Sequence, residues 1–354
     1  MNPRTLPLIE VKGNPRQRGQ QQGEASRPQT VRALARYREI LLKGNQMTWE
    51  EGTREARKFL PYGEEIFPNF IDEIRGIAEG ADVPFDEVWT LNCYEGLSQS
   101  RQQVWGCTCV AVRDDYTADG HVLLAHNEDW ISADRDNVYL VHAEQDDGPA
   151  FIGMTYGPLL VNIGLNAHGI GVAINSVYPT DERVGVPRIL CSRAVLDART
   201  IGEAIRACVP KLRAGGYSYL LADPNGELYS IETSATRHDI LYGEEGWLAH
   251  TNHYLSPTMQ TLEEPGPYSS SQVRLNRARR LTKTQKGQVT VESLQALLRD
   301  HVNWPDSICM HPDPTDPAHE QEQTLVSLVM DLTERKMWAA PGPPCEGEYV
   351  AYRL

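Results

Sequence analysis

The chain has 354 residues, 34 Lys and Arg against 48 Asp and Glu, and a net charge of −14. With 40% hydrophobic and 23% charged residues it can bury a sizeable core, which excludes a fibrous or disordered class. No run approaches the roughly 18 apolar residues of a membrane helix, and the opening MNPRTLPLIEVKG lacks the apolar stretch of a secretory signal, so a cytoplasmic protein with no membrane partner is expected.

The first hundred residues read mainly as helices. Val31, Leu34, Ala35, Ile40 and Leu41 recur at helical spacing, as do Phe70, Ile71, Ile74, Ile77 and Ala78 ahead of a stop signal at Gly80. Beyond residue 104 short runs of β-formers follow one another: CTCVAV (107–112), HVLLAHNED (121–129), VYLVHAE (138–144), FIGMTY (151–156) and GVAINSV (171–177), separated by Gly-containing turns. Two helical patterns lie around 188–208, and then come strands at YSYLLAD, ELYSIET and WLAHTNHY. Residues 270–282 and 290–301 are helical in pattern, 305–322 is a loop rich in Pro and Asp, and strands near 324–338 and 348–353 close the chain. Helices and strands segregated in blocks predict an α+β layered fold rather than a βαβ repeat. Residues 107–354 are expected to form one domain, with residues 1–106 packed on it.

The acidity lies in the second part. Residues 1–106 hold 14 basic and 15 acidic side chains, leaving 20 against 33 for the rest, a net of −13. Such a field repels phosphates, so nucleic acid is not an expected partner. Seven cysteines at scattered spacings are not a disulfide framework. Cys107-Thr108-Cys109 has no second pair at finger-like spacing, and His250 and His253 lack a nearby third ligand. They read as polar loop or pocket residues, and neither a metal nor an organic cofactor is expected.

Gly106-Cys107-Thr108 stands at the seam between the helical part and the first strand. A chain cut before Cys107 would give that residue a thiol and a free α-amine, whose pKa of about 7.7–8.0 suits it to take the thiol proton. The same thiol can make the cut, because Gly106 presents no side chain against attack on its carbonyl. By the period of two, Ala125, Asn127 and Asp129 share one strand face, and His126, Glu128 and Trp130 the other. Asp129 is a candidate to hold the amino terminus of Cys107. Asn175 and Asn252, at strand ends, are candidate oxyanion donors. Arg274 is a candidate to lower the thiol pKa by its charge, with Arg277 as its rival one turn on.

These blocks resemble the isopenicillin N acyltransferase family, a branch of the N-terminal-nucleophile hydrolases related to penicillin V acylases and bile salt hydrolases. The resemblance rests on Gly13-x5-Gly19-x3-Gly23, on Glu73-Ile-Arg-Gly76-Ile-Ala-Glu-Gly80 followed by Asn92, on Gly106-Cys107-Thr108, and on HNEDW at 126–130. Asn166 to Asn175, His250-Thr-Asn252-His253, Ser307-Ile-Cys309-x-His311 and Gly342-Pro-Pro-Cys345 extend it nearly end to end. It implies a four-layer αββα sandwich, and self-cleavage at Gly106-Cys107 that leaves residues 1–106 as an α chain beside a β chain of 107–354. It also implies that Cys107 is the nucleophile forming a thioester, that Asp129 orients its amine, and that Asn175 and Asn252 serve positioning and the oxyanion hole. His126, Glu128, Trp130 and His253 are the expected substrate-binding residues. Where the bile salt hydrolase relatives carry an Arg ahead of their Asp block, this chain has His126 next to Asn127, which leaves a cationic role vacant or moved.

Residues 121–175 are also similar to the β-alanyl-dopamine and carcinine hydrolases of this family, and an acidic catalytic part tolerates a cationic amide better than coenzyme A. The expected substrate is therefore a small N-acyl amine or N-acyl amino acid, with acyl-CoA-dependent transfer as the alternative. Self-association into a homo-oligomer is left open. Two other readings remain: an uncut Cys-His protease using Cys107 or Cys109, and a fold-retaining binding module that never cleaves.

Overall fold

The computed structural model describes residues 5–97, 106–317 and 321–354. The first part holds strand β1 (Leu8–Gly13) and helices α1 (Pro15–Ala25), α2 (Arg27–Gly44), α3 (Trp49–Ala56), α4 (Leu60–Ile66), α5 (Pro68–Ala81), α6 (Phe85–Asn92) and α7 (Tyr94–Leu97). After the seam come β2 (Cys107–Val112), β3 (Leu123–Ile131), β4 (Val138–Gln145), β5 (Phe151–Tyr156), β6 (Ile163–Asn166) and β7 (Gly171–Ser176), then α8 (Arg188–Val195) and α9 (Ile201–Cys208). Strands β8 (Tyr217–Ala222), β9 (Leu228–Thr233), β10 (His238–Tyr242) and β11 (Trp247–His250) lead to α10 (Pro257–Gln260), α11 (Ser269–Lys283) and α12 (Val291–Leu298). Strands β12 (Glu322–Asp331), β13 (Lys336–Pro341) and β14 (Val350–Arg353) end the chain.

The strands form two sheets, one in the order β1-β4-β5-β6-β7-β8-β9-β10 and one in the order β11-β2-β3-β12-β13-β14. All named pairings are antiparallel except β1 with β4. The sheets meet through β2 and β3 against β7 and β8, while α8 and α9 cover the first sheet and α11 and α12 cover the second. This is the αββα sandwich. Alternation on β2 places Cys109 and Ala111 in the core between the sheets and Val110 and Val112 in the core beneath α11 and α12. Among the described residues no helix is long and apolar enough to cross a membrane.

The first part is built into the sandwich rather than laid over it. β1, which the helical reading of this region missed, is the parallel edge strand of the first sheet. Glu73 on α5 accepts from Arg18 on α1 and from Arg193 on α8, and the Arg193 guanidinium stacks between Phe70 and Phe151. All three charged groups are buried, so removing one leaves uncompensated charge in the core.

Two sequence expectations need correction here. The buried face of α2 is Thr30, Ala33, Leu34, Tyr37 and Leu41, whereas Val31 is exposed, because the helix packs through Tyr37 onto Asp134 and Trp130. Gly80 is not a stop. It lies within α5, which runs to Ala81 and ends at Asp82 in the left-handed region (φ 58°). Gly80 and Gly76 face Gly19 and Gly23 of α1, and the two helix backbones touch. A Cβ on Gly76 would fall 2.2 Å from the Arg16 carbonyl oxygen, and one on Gly80 would fall 2.0 Å from that of Gln20. Gly76→Ala is therefore expected to destabilise by roughly 1–3 kcal/mol or more, because backbone cannot move aside as a side chain does. Chemical denaturation read by circular dichroism measures it.

Candidate active site

Antiparallel register sets Cys107 opposite Glu128 and Cys109 opposite His126. Directly opposed residues share a face, so the four side chains meet between the sheets. Cys107 Sγ lies 3.4 Å from Glu128 Oε2, which is 3.0 Å from His126 Nε2; His126 Nδ1 is in turn 3.1 Å from Cys109 Sγ. All four are buried. Burial pushes the Cys107 thiol well above its ordinary pKa, and the charges of Glu128 and Asp129 push it further. The Cys109 thiol is raised by the same causes, with the neighbouring Asn175 amide pulling the other way.

The backbone of Cys107 is held separately. Its N–H donates to Asn252 Oδ1 at 2.8 Å, and its carbonyl accepts from Arg274 Nη1 at 2.7 Å. Arg274, buried on α11, also donates to Asn252 Oδ1 at 2.9 Å and to Thr108 Oγ1 at 3.2 Å. Its guanidinium thus addresses the peptide groups of residue 107 rather than the thiol. Burial and the charges of Glu128 and Asp129 oppose ionisation of the thiol, while the charge of Arg274, which interacts with that of Cys107, favours it. Arg277 is bound to Asp300 and takes no part.

Asp129 points to the opposite face of β3 from Glu128. One oxygen accepts from Thr324 Oγ1 at 2.5 Å, and the other has no hydrogen-bond partner among the described residues. That free oxygen is aimed at the seam: a Cβ placed on Gly106 would lie 3.2 Å from it and 2.5 Å from the Met310 methyl. A side chain at 106 would have to displace the Met310 methyl and crowd the Asp129 carboxylate. Burial raises the Asp129 pKa well above its usual range, opposed by Arg274.

Glu322, the first residue of β12, is pushed up to about 8 by burial and then by the charge of Asp129, with Arg274 pulling down. A carboxyl that stays protonated in the folded chain and ionises in the unfolded one makes stability fall as pH rises from about 4.5 to about 8. Because Glu322 is partly exposed, solvent reduces the penalty to roughly 1–3 kcal/mol at pH 8. Glu322→Gln is expected to match the parent below pH 5 and to exceed it progressively up to pH 8, read from denaturation midpoints across that range.

The remaining expected residues are distributed as follows. Asn175 is buried on β7 beside the Cys109 sulfur, and neither amide atom makes a hydrogen bond of ordinary geometry among the described residues. His126 is buried between Cys109 and Glu128, a position that orients Glu128. His253 donates to or accepts from Ser271 Oγ at 2.7 Å, and burial with the adjacent cationic groups lowers its pKa to about 4. It supports the Asn252 loop, since the Asn252 N–H donates to the same Ser271 oxygen. Trp130 lines a small cavity with Tyr37, Tyr156, Ile189, Tyr217 and Glu95. That cavity shares Asn92 and Glu95 with a neighbouring one of about 250 Å³, bordered by Phe59, Glu182 and Arg188. Glu95 accepts from Arg188 and from the Tyr217 hydroxyl, and the charge of Glu128 reaches Tyr156 and Tyr217. Glu95, Tyr156, Tyr217, Met310 and Thr324 were not singled out from the sequence, where they look like ordinary helix, strand and loop positions.

The family model described as acyl-coenzyme A:6-aminopenicillanic acid acyl-transferase matches residues 116–345. The chain belongs to this acyl-transferase family. The matched segment includes Asp129, Asn175, Asn252 and Arg274. A curated relative of Emericella nidulans, the acyl-coenzyme A:6-aminopenicillanic-acid-acyltransferase 40 kDa form, is 25% identical over 95% of this chain and 92% of its own. The β-alanyl-dopamine/carcinine hydrolase of Drosophila melanogaster is 28% identical over 48% of this chain and 49% of its own. Among solved structures, the conjugated bile acid hydrolase of Clostridium perfringens matches with a TM-score of 0.47 and 14% identity, covering 70% of this chain and 97% of that one.

Proposed function

We propose that this member of the acyl-transferase family is a cysteine N-terminal-nucleophile enzyme that cuts its own Gly106–Cys107 bond and then takes the acyl group of a small N-acyl amine or N-acyl amino acid onto Cys107. The observation that carries the reading is the separate, buried partner for each reactive group of one residue: Glu128 for the thiol, Asn252 for the backbone nitrogen, Arg274 for the carbonyl, with a free Asp129 oxygen beside Gly106. In the uncut chain the nitrogen of residue 107 is an amide and cannot take a proton, so Glu128 is the acceptor within reach of the thiol. The thiolate attacks the Gly106 carbonyl carbon; a C–S bond forms, the C–N bond breaks, and the nitrogen leaves as an amine carrying the proton. Water then hydrolyses the thioester to a Gly106 carboxylate and a free thiol.

The new α-amine, with an ordinary pKa of about 7.7–8.0, lies among Asn252 and Asp129 and is neutral in a sizeable fraction of molecules near that pH. It takes the thiol proton in the second reaction, and Asn175 supplies a donor for the developing oxyanion. The thioester goes to water or to an acceptor amine. The aromatic walls at Trp130, Tyr156 and Tyr217, with Glu95 and Glu128 nearby, support a small aromatic or cationic amide, and the net −13 of residues 107–354 supports hydrolysis over transfer from coenzyme A. Acyl transfer is the second reading, favoured by the fungal relative matched over 95% of the chain, whose name describes an acyltransferase.

Intact-mass analysis under denaturing conditions with N-terminal sequencing tests the first step. Chains of 106 and 248 residues, the second starting at Cys107, are expected, followed by turnover of a panel of N-acyl amines with and without an added acceptor amine. An uncut chain with full activity would overturn the reading in favour of a Cys-His enzyme.

A further inference from the structure

Beside the seam a second constellation has no part in the chemistry above. His301 follows α12, Cys309 and His311 lie in the loop before β12, and Cys345 lies in the turn after β13, yet one ligand atom from each falls within 4.8 Å of all the others. Three of the contacts converge on a single atom: His311 Nε2 is 3.2 Å from Cys345 Sγ, 3.3 Å from His301 Nε2 and 3.5 Å from Cys309 Sγ. An imidazole nitrogen has one proton or one lone pair, so at most one of these is a hydrogen bond. The separations fit the edges of a coordination tetrahedron, which are about 3.3–3.8 Å for zinc with Zn–S of about 2.3 Å and Zn–N of about 2.0–2.1 Å.

We propose that His301, Cys309, His311 and Cys345 hold a structural zinc ion. Two thiolates and two neutral imidazoles give a neutral complex with a divalent cation, and that mixed S₂N₂ set selects zinc over the oxygen-seeking cations. On binding, each thiol loses its proton to solvent as its sulfur–metal bond forms. The surroundings suit the ion: His311 Nδ1, on the other edge of its ring, lies 3.6 Å from a Glu346 carboxylate oxygen, and the Trp304 ring covers His311 at 4.1 Å and His301 at 5.6 Å between centroids. The role is positional. Met310, between two of the ligands, packs its methyl over Gly106, and its peptide exchanges hydrogen bonds with Thr324, which in turn holds Asp129. An ion at this site fastens the loop that shapes the cleavage seam, without touching the reacting groups.

The test uses the full chain, purified in reducing, chelator-free buffer and incubated with zinc chloride before dialysis. Elemental analysis is expected to find about one zinc per chain, and Cys345→Ser and His301→Gln, at exposed positions, to lower retention by about tenfold or more with an unchanged circular dichroism spectrum. Cobalt(II) bound in place of zinc is expected to give thiolate-to-metal absorption in the parent that is lost in Cys345→Ser, a readout that does not depend on the variants' zinc content. Cys107→Ala is expected to keep its zinc, so this result stands apart from the fate of the cleavage reading. Less than about a tenth of an equivalent in the parent with both thiols free, or a Cys309–Cys345 disulfide in freshly prepared protein, would overturn the proposal.

Discussion

Cys107→Ala is expected to purify as one uncut chain with turnover reduced by at least about a thousandfold, because in the proposed mechanism both reactions run through one sulfur atom. The fold should tolerate the change: the lost contacts are one long hydrogen bond to Glu128 and a weaker one to the Asp129 carbonyl. A denaturation midpoint close to the parent's would separate lost chemistry from lost structure. Cys107→Ser is expected to mature slowly, since a hydroxyl in this buried, acidic setting is harder to ionise than a thiol. A Cys107→Ala chain that still breaks at the same bond would remove self-cleavage from consideration. Cys109 is the necessary control, because the two thiols are linked through His126 and Glu128. Alkylation of the native protein is expected at Cys107, and Cys109→Ala should alter rates only modestly, through the partner that His126 loses.

Arg274→Met is expected to slow maturation by about a hundredfold or more and to lower stability measurably. The guanidinium makes charge-assisted bonds to the Cys107 carbonyl and to Asn252 Oδ1, the atom that also receives the Cys107 N–H. Removing a charged donor of this kind from a site where charge develops costs roughly 2–4 kcal/mol. Arg274→Lys separates charge from shape, since one ammonium cannot reach the three acceptors that the planar fork spans. Slow cleavage in both variants would assign the effect to geometry; full rescue by Lys would assign it to charge alone. The appearance of the Cys107 terminus, followed by mass spectrometry over time, distinguishes these outcomes from a general loss of folding.

Most of the strands and the alternation of faces at the seam were legible in the sequence. Period-two alternation on β3 separated Asp129 from His126 and Glu128, and that separation is what places Asp129 by the backbone and Glu128 by the thiol. What it hid were contacts whose signal lies in another part of the chain. β1 looks like a leader to the helices because a short edge strand paired to residues 132 positions away leaves no local pattern. Gly80 reads as punctuation when seen alone and as a helix contact only once Gln20 is beside it. The face that His126 shares with Glu128 says nothing about what lies opposite, here Cys109. Met310, Thr324 and the His301–Cys345 group are dispersed over the loop between α12 and β12, strand β12 and a turn after β13, and only the fold brings them to the seam.

The parallel strand β1 and the Arg18–Glu73–Arg193 cluster have a kinetic implication for the processed protein. Were the chain cut as proposed, the polypeptide that contributes an edge of the first sheet and two of the three charged groups of this cluster would no longer be covalently tethered to the remainder. Renaturation would then change from a first-order to a second-order process, dependent on protein concentration, whereas the uncut Cys107→Ala chain would retain a first-order return. The mature molecule would owe its persistence to a slow unfolding rate, because once its two chains have parted their reunion becomes a diffusive encounter between partly folded pieces.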